Sequence, residues 1–236
     1  MQELVEVDNS TDVMQALAMI GAVITRGVPT SDLLAKLQEF AKVYHHPHAN
    51  EHGQTFISVK TNQATPGLVG FSAEPLPLHT DRASLPEPPN LLINVVRERG
   101  PANQGIPQLY NFQQFLDICD LEDLEQLNRS SILNSLTGDK QAILFRNEEV
   151  LKCRFRIDTP WTTDLTRDLR EKLRHSMDDN TFHLTELRNN DGYVILNDMW
   201  LHGRTQIGRT GTIRVVERTL LRINPQLRSH IPSLTK

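Results

Sequence analysis

The chain has 236 residues, 38% of them hydrophobic, and a formal net charge of −4 at pH 7. That length suits one domain with room for a long insertion, and the apolar share is enough for a sizeable core. The scattered Lys and Arg residues make no broad basic field, which argues against bulk nucleic-acid binding, and no apolar run approaches the ~18 residues of a membrane span. Two cysteines, Cys119 and Cys153, form no disulfide framework and are expected as free, buried thiols. Met1-Gln2-Glu3-Leu4 is acidic where a secretory signal is basic. Both features point to the cytoplasm.

The first expected helix is Asp12 to Ile20, with Val13, Ala16, Leu17 and Ile20 on one side and Gly21 at its end. Ala22 to Thr25 follows as a strand. Ser31 is placed to cap a second helix, whose apolar face is Leu34, Leu37, Phe40, Ala41 and Tyr44. His45 to Gln54 is polar and reads as an exposed loop. Phe56 to Val59 and Leu68 to Ser72 read as short strands. Leu76 to Asp81 alternates as a half-buried strand does, before Pro86, Pro88 and Pro89 break the chain. Leu91 to Val96 is a strong strand. Asn111 to Asn134 is leucine-rich, acidic and expected to be helical. Ala142 to Phe145 and Cys153 to Ile157 return to strand pattern. Thr163 to Met177 is an amphipathic helix. Gly192 to Leu196 is a strand, Asn197-Asp198 a turn, and Thr212 to Ile223 closes the chain as one long strand or a pair. The order predicts a mainly β protein with flanking helices: one domain over 1–236, its core an antiparallel sandwich, with a helical or lid insertion around 111–180.

His79-Thr80-Asp81 is the most informative local motif. Residues i and i+2 of a strand share a face, so an imidazole and a carboxylate sit together. His202, at the end of Trp200-Leu201-His202, is the distant histidine that would complete the set. Two imidazoles and a carboxylate leave half of an octahedral ferrous centre open, and they also suit catalytic zinc. Arg214 and Arg218 beyond His202 favour iron, because a diacid chelating the metal at one end needs a cation for the other.

These residues resemble the Fe(II)- and 2-oxoglutarate-dependent oxygenases of the taurine dioxygenase and clavaminate synthase group. The matched motifs are Pro77-Leu78-His79-Thr80-Asp81-Arg82 followed by Pro88-Pro89, and Trp200-Leu201-His202-Gly203-Arg204-Thr205 followed by Arg214 and Arg218. The resemblance covers about Gly67 to Ile223. It implies a distorted double-stranded β-helix (jelly roll) of clavaminate synthase-like form. It implies Fe(II) on His79, Asp81 and His202, with 2-oxoglutarate and O2 as cosubstrates and succinate and carbon dioxide as products. Arg214 resembles the arginine that pairs with the distal carboxylate of 2-oxoglutarate, and Arg218 one that faces an acidic group of the substrate. A carboxylate at Asp81 argues for hydroxylation, desaturation or cyclisation, since halogenating relatives carry a small residue there.

One segment departs from the family. Relatives carry a Gly-Gly-x-Ser/Thr stretch whose hydroxyl helps hold the cosubstrate. Here Asn103 to Tyr110 has Ile106 and Pro107 near that place, and Gln108 is the candidate substitute if the loop is one residue longer. The substrate implied is a small, carboxylate-bearing, amino-acid-like metabolite, in a biosynthetic pathway. Asp158 is the candidate for its amine and Arg156 for its acid, against the plainer reading of an exposed strand edge. Arg82 and Arg204 are expected as structural ion-pair partners. His45, His46, His48 and His52 are interrupted by Pro47, which argues for a solvated loop at the site mouth over a second metal site. Two alternatives stay open: an iron oxygenase that does not use 2-oxoglutarate, and a non-catalytic metabolite-binding β-sandwich. Oligomeric state is open.

Overall fold

A computed structural model of the chain describes residues 3–66, 68–147, 150–158, 160–208, 214–228 and 231–234. Strand β1 (Val5–Val7) leads into helix α1 (Val13–Ile20). This helix buries the expected Val13, Ala16, Leu17 and Ile20 and stops at Gly21, whose φ of 76° no β-carbon opposes. Strand β2 (Ala22–Thr25) is wholly buried. Helix α2 (Thr30–Leu37) differs from expectation. Pro29, not Ser31, precedes it, Leu33 and Leu37 are its buried apolar residues, and Ala41–Tyr44 is strand β3. A strand edge there pairs with the sheet, which outweighs one more helical turn.

Strand β4 (Gln54–Ser58) is followed by a 3-10 turn over Val69–Phe71 where a strand was expected. Then come β5 (Leu76–His79), β6 (Leu91–Glu98) and β7 (Pro107–Asn111). The 111–180 segment is less helical than its leucines suggest. Helices α3 (Gln113–Ile118) and α4 (Leu121–Arg129), the latter closed by an Asp120–Asp123 capping box, give way to β8 (Ser131–Asn134), β9 (Lys140–Ala142), β10 (Leu144–Asn147), β11 (Val150–Cys153) and β12 (Trp161–Thr163). Residues 154–157 lie past the strand end, and helix α5 (Arg167–Asn180) starts only after Thr166 caps it. Strand β13 (Phe182–His183), β14 (Gly192–Leu196), β15 (Trp200–Arg204), the long strand β16 (Val215–Ile223) and helix α6 (Pro225–Arg228) follow, and residues 212–213 of the expected closing strand lie outside the described residues.

Two sheets form the core. The larger runs β1-β2-β14-β6-β16-β3, with β4 also on β16, and the smaller runs β13-β7-β15-β5. This is a distorted double-stranded β-helix. Buried side chains of both sheets and of the insertion form one cluster, from Val13 and Leu17 through Leu91 and Trp200 to Leu127 and Phe155. Removing that apolar surface from water is the main stabilising force. Cys119 and Cys153 are buried and form no disulfide with each other, as expected. Among the described residues no helix is long and apolar enough to cross a membrane.

Candidate metal centre

Strands β5 and β15 are antiparallel neighbours, and their register sets His79 opposite His202. Directly opposed residues of a ladder share a face, so the two rings lie 4.4 Å apart between centroids. Asp81 lies two residues beyond His79, past the end of β5, where no strand partner orients it. Other groups do so. The Thr80 N–H donates to the Phe155 carbonyl at 2.8 Å. The buried Asn197 amide clasps the Asp81 backbone from both sides: its Oδ1 accepts the Asp81 N–H at 2.8 Å and its Nδ2 donates to the Asp81 carbonyl at 3.0 Å. The same Nδ2 also donates to the Pro89 carbonyl at 2.7 Å, tying down the proline-rich turn.

The ligand atoms of His79, Asp81 and His202 thereby fall within 4.8 Å of one another, all buried. The His79 and His202 Nε2 atoms stand 3.8 and 3.7 Å from the two Asp81 oxygens. His79 Nδ1 lies 2.9 Å from the Pro77 carbonyl, which fixes Nδ1 as the protonated nitrogen and turns the Nε2 lone pair toward Asp81. Burial, helped by His79, pushes the His202 imidazole down to about 3, so it is neutral and able to ligate at ordinary pH. Burial works to raise the Asp81 carboxyl, but Arg218 and the two imidazoles outweigh it and hold it well below the usual carboxylate range. Two imidazoles, that of His202 kept neutral by burial, and one ionised carboxylate, buried and convergent, fit a divalent first-row metal.

The centre opens on a cavity of about 180 Å³ between the two sheets. Five arginines line it, Arg82, Arg156, Arg204, Arg214 and Arg218, and Asp81 is the one carboxylate among its described lining residues. Their partners differ. Arg218, expected to face an acidic group of the substrate, donates from Nη1 to both Asp81 oxygens, at 2.8 and 2.9 Å. Arg204, expected as an ion-pair partner, has none among the described residues. It donates to the carbonyls of Glu74, Ser72 and Val69, and burial, with Arg214 nearby, pushes its pKa down to about 10. Arg82 sits at a φ of 59° with its guanidinium 5.9 Å from the Tyr44 ring centre, again without a carboxylate partner among the described residues. Arg156 and Asp158 neutralise each other through a two-pronged pair at 2.5 and 2.8 Å, and Asp158 does not line the cavity. Arg156 is the one described residue of 111–180 that does.

Arg214 is only 8% exposed, and among the described residues no carboxylate pairs with it. Gly105, at a φ of 58°, packs so closely that a β-carbon there would lie 2.8 Å from Arg214 Cδ. Gln108 stands opposite Gly203 in the ladder, on the face of β7 turned away from His202, and does not line the cavity. Pro107 does. The histidine loop reaches the cavity mouth through His46 and His48, as expected of it, and burial and Arg218 push the His46 imidazole down to about 4.

Sequence reasoning missed three cavity or support residues. Asn94 and Tyr193 sit inside apolar strand patterns that mask them, although a lone amide inside Leu91-Leu92-Ile93-Asn94-Val95-Val96 is itself a signal. Asn197 is a turn residue in the sequence pattern, with nothing local to reveal its grip on Asp81.

No protein-family model matches the chain, and no curated protein is significantly similar to it. Solved structures do share the fold. PvcB from Pseudomonas aeruginosa is 18% identical and superposes with a TM-score of 0.66 over 92% of this chain and 82% of its own; a second structure describes PvcB as an Fe, alpha-ketoglutarate dependent oxygenase from an isonitrile synthetic pathway. A taurine dioxygenase from Burkholderia xenovorans is 16% identical, with a TM-score of 0.68 over 94% of this chain and 88% of its own. An asparagine oxygenase, solved with Fe(II), 2S,3S-3-hydroxyasparagine and succinate, is 15% identical, with a TM-score of 0.62 over 91% and 78%. The chain therefore has the fold of the taurine dioxygenase and clavaminate synthase-like oxygenases.

Proposed function

We propose that the chain is an Fe(II)- and 2-oxoglutarate-dependent oxygenase that oxidises an unactivated C–H bond of a small, carboxylate-bearing, amino-acid-like molecule. The observation that carries this reading is the convergence of His79, Asp81 and His202 on a cavity that also holds Arg214, a buried guanidinium without a carboxylate partner among the described residues. Leaving such a charge unpaired is costly, so an anionic ligand is its natural complement. In the fold relative solved with succinate and hydroxyasparagine, a dicarboxylate and an oxidised amino acid occupy one protein.

When bound, ferrous iron with 2-oxoglutarate and O2 supplies the oxidant and turns the cosubstrate into succinate and carbon dioxide. The residues of the chain do the rest. His79, oriented by the Pro77 carbonyl, and His202, kept neutral by burial, offer nitrogen lone pairs. Asp81 is kept ionised and held in place by Arg218, which we therefore assign to the metal carboxylate and not to substrate. Arg214 takes the distal carboxylate of the cosubstrate. With Arg156 paired to Asp158 and Arg218 to Asp81, three lining guanidinium groups still face the two charges of a dicarboxylate, which favours an acidic group on the substrate. Arg156, at the cavity wall, can meet an acidic group of the substrate, while Asp158 lies behind it and outside the cavity lining. Gln108 has no part in this reading.

The test is succinate formation by the Fe(II)-loaded protein, stimulated by a member of a panel of acidic amino acids and lost in His79→Ala. Metal uptake without succinate from any member refutes the assignment. Oxygen uptake indifferent to omission of 2-oxoglutarate would point to an iron oxygenase whose substrate supplies the electrons. No uptake of iron, cobalt or manganese would leave a non-catalytic binding sandwich.

A further inference from the structure

Tyr193 on β14 and Asn94 on β6 are register partners, and Arg218 on β16 is the next residue in the same cross-strand row. All three line the cavity. Tyr193 is 4% exposed and Asn94 7%, so neither polar group has ready access to water. They satisfy each other only in part. Asn94 Nδ2 donates to the Tyr193 hydroxyl oxygen at 2.6 Å. That leaves the hydroxyl proton without an acceptor among the described residues, and Asn94 Oδ1 buried without a partner. Turning the amide over moves the surplus donor from the Tyr193 O–H to the Asn94 N–H and does not remove it. The pair thus holds a donor that the described protein does not use, beside a cavity. Buried polar groups left in that state are expected to meet a ligand.

The ligand is anionic on two grounds. Arg214 lines the same cavity, is the first of the charged groups acting on Tyr193, and has no carboxylate of its own among the described residues. Burial pushes the Tyr193 phenol up to about 12, so at neutral pH it is a donor and not a phenolate. A guanidinium and a neutral O–H facing one space are a carboxylate's complement. The loop where a hydroxyl was sought cannot supply one. Ile106 and Pro107 have none to give, and Gly105 serves by letting Arg214 lie against its backbone.

We propose that Tyr193, braced by Asn94, donates its hydroxyl hydrogen bond to the Arg214-bound distal carboxylate of the dicarboxylic cosubstrate, from the floor of the larger sheet. This rests on the oxygenase reading above. Its consequence is a preference for a 2-oxo diacid over a 2-oxo monoacid that depends on a strand tyrosine and not on the β7 loop.

The experiment is calorimetric and needs no turnover. Fe(II)-loaded protein under nitrogen is titrated with 2-oxoglutarate and with 2-oxopentanoate, which has the same chain length and lacks the distal carboxylate. The proteins are wild type, Tyr193→Phe, and the double variant Tyr193→Phe/Asn94→Leu, in which no orphaned amide remains to disturb folding. Both variants are expected to bind 2-oxoglutarate about tenfold more weakly (1.4 kcal/mol) and 2-oxopentanoate as wild type does. Unchanged 2-oxoglutarate affinity in the variants overturns the assignment of Tyr193, and so does an equal loss for both ligands, which marks general loosening. Wild type that takes up iron but binds neither acid overturns the cosubstrate reading itself and this inference with it.

Discussion

Replacing Asn197 with alanine separates the placement of the metal carboxylate from its chemistry. Asn197 is 1% exposed and touches neither the cavity nor the other ligands, so the substitution acts only through Asp81 and the turn behind it. Three hydrogen bonds disappear, to the Asp81 N–H at 2.8 Å, the Asp81 carbonyl at 3.0 Å and the Pro89 carbonyl at 2.7 Å. At ~1 kcal/mol each, with a further penalty for the backbone groups left buried and unpaired, the loss of stability is on the order of 3–5 kcal/mol. That is a large share of a domain's total but leaves a folded protein to measure. Asp81 stands beyond the end of β5, so without this clasp only Arg218 and the Thr80–Phe155 hydrogen bond hold its carboxylate toward the two imidazoles. Metal affinity should drop roughly 10- to 100-fold, as it does when outer partners of metal ligands are removed. Urea unfolding gives the first quantity and Co(II) titration of the folded variant the second. A variant destabilised as expected that still binds Co(II) within about threefold of wild type would refute the claim that Asn197 positions the ligand.

Gly105→Ala would strain a left-handed residue and set a β-carbon 2.8 Å from Arg214 Cδ and from Ile207 Cγ1. The KM for 2-oxoglutarate should rise about tenfold while Fe(II) affinity stays at the wild-type value; an unchanged KM would show that Arg214 need not stay where Gly105 lets it lie. Acid stability tests the buried imidazole. His202 in the folded chain protonates only at about 3, whereas an unfolded histidine does so at 6.5. Between those values the unfolded state holds the extra proton, so metal-free stability falls as pH drops through the window, by at most ~1.4 kcal/mol per unit. His202→Asn should flatten the slope of urea stability between about pH 6 and 4 by up to that amount, and identical slopes for the two proteins would show an imidazole that titrates normally.

Much of the strand framework was legible because its causes are local. Alternation at Leu76 to His79, the apolar runs at Leu91 to Val96 and Gly192 to Leu196, and Gly21 after an amphipathic turn each act within a few residues. The errors fall where distant pairing overrides local preference. The leucine-rich 111–134 segment ends in a strand because Ser131–Asn134 finds β12 and β9, and Ala41–Tyr44 leaves a helical pattern because β16 offers a ladder. At the centre, His79, Asp81 and His202 stood out by residue type and motif order, while Arg156 and Asp158 sat close enough in sequence to have been read as partners for each other.

Local patterning and motif chemistry, both written in short stretches of chain, determined by themselves the mainly β class and the three candidate ligands. The tertiary structure alone decided that β5 and β15 pair with His79 opposite His202, that Arg218 reaches Asp81, that Asn197 holds the Asp81 backbone, and that Tyr193 and Asn94 share a row facing the cavity. The physical reason is register. Side-chain direction along a strand follows from a period of two, but which strand lies opposite, and at what offset, is set by burying two sheets against one another at once.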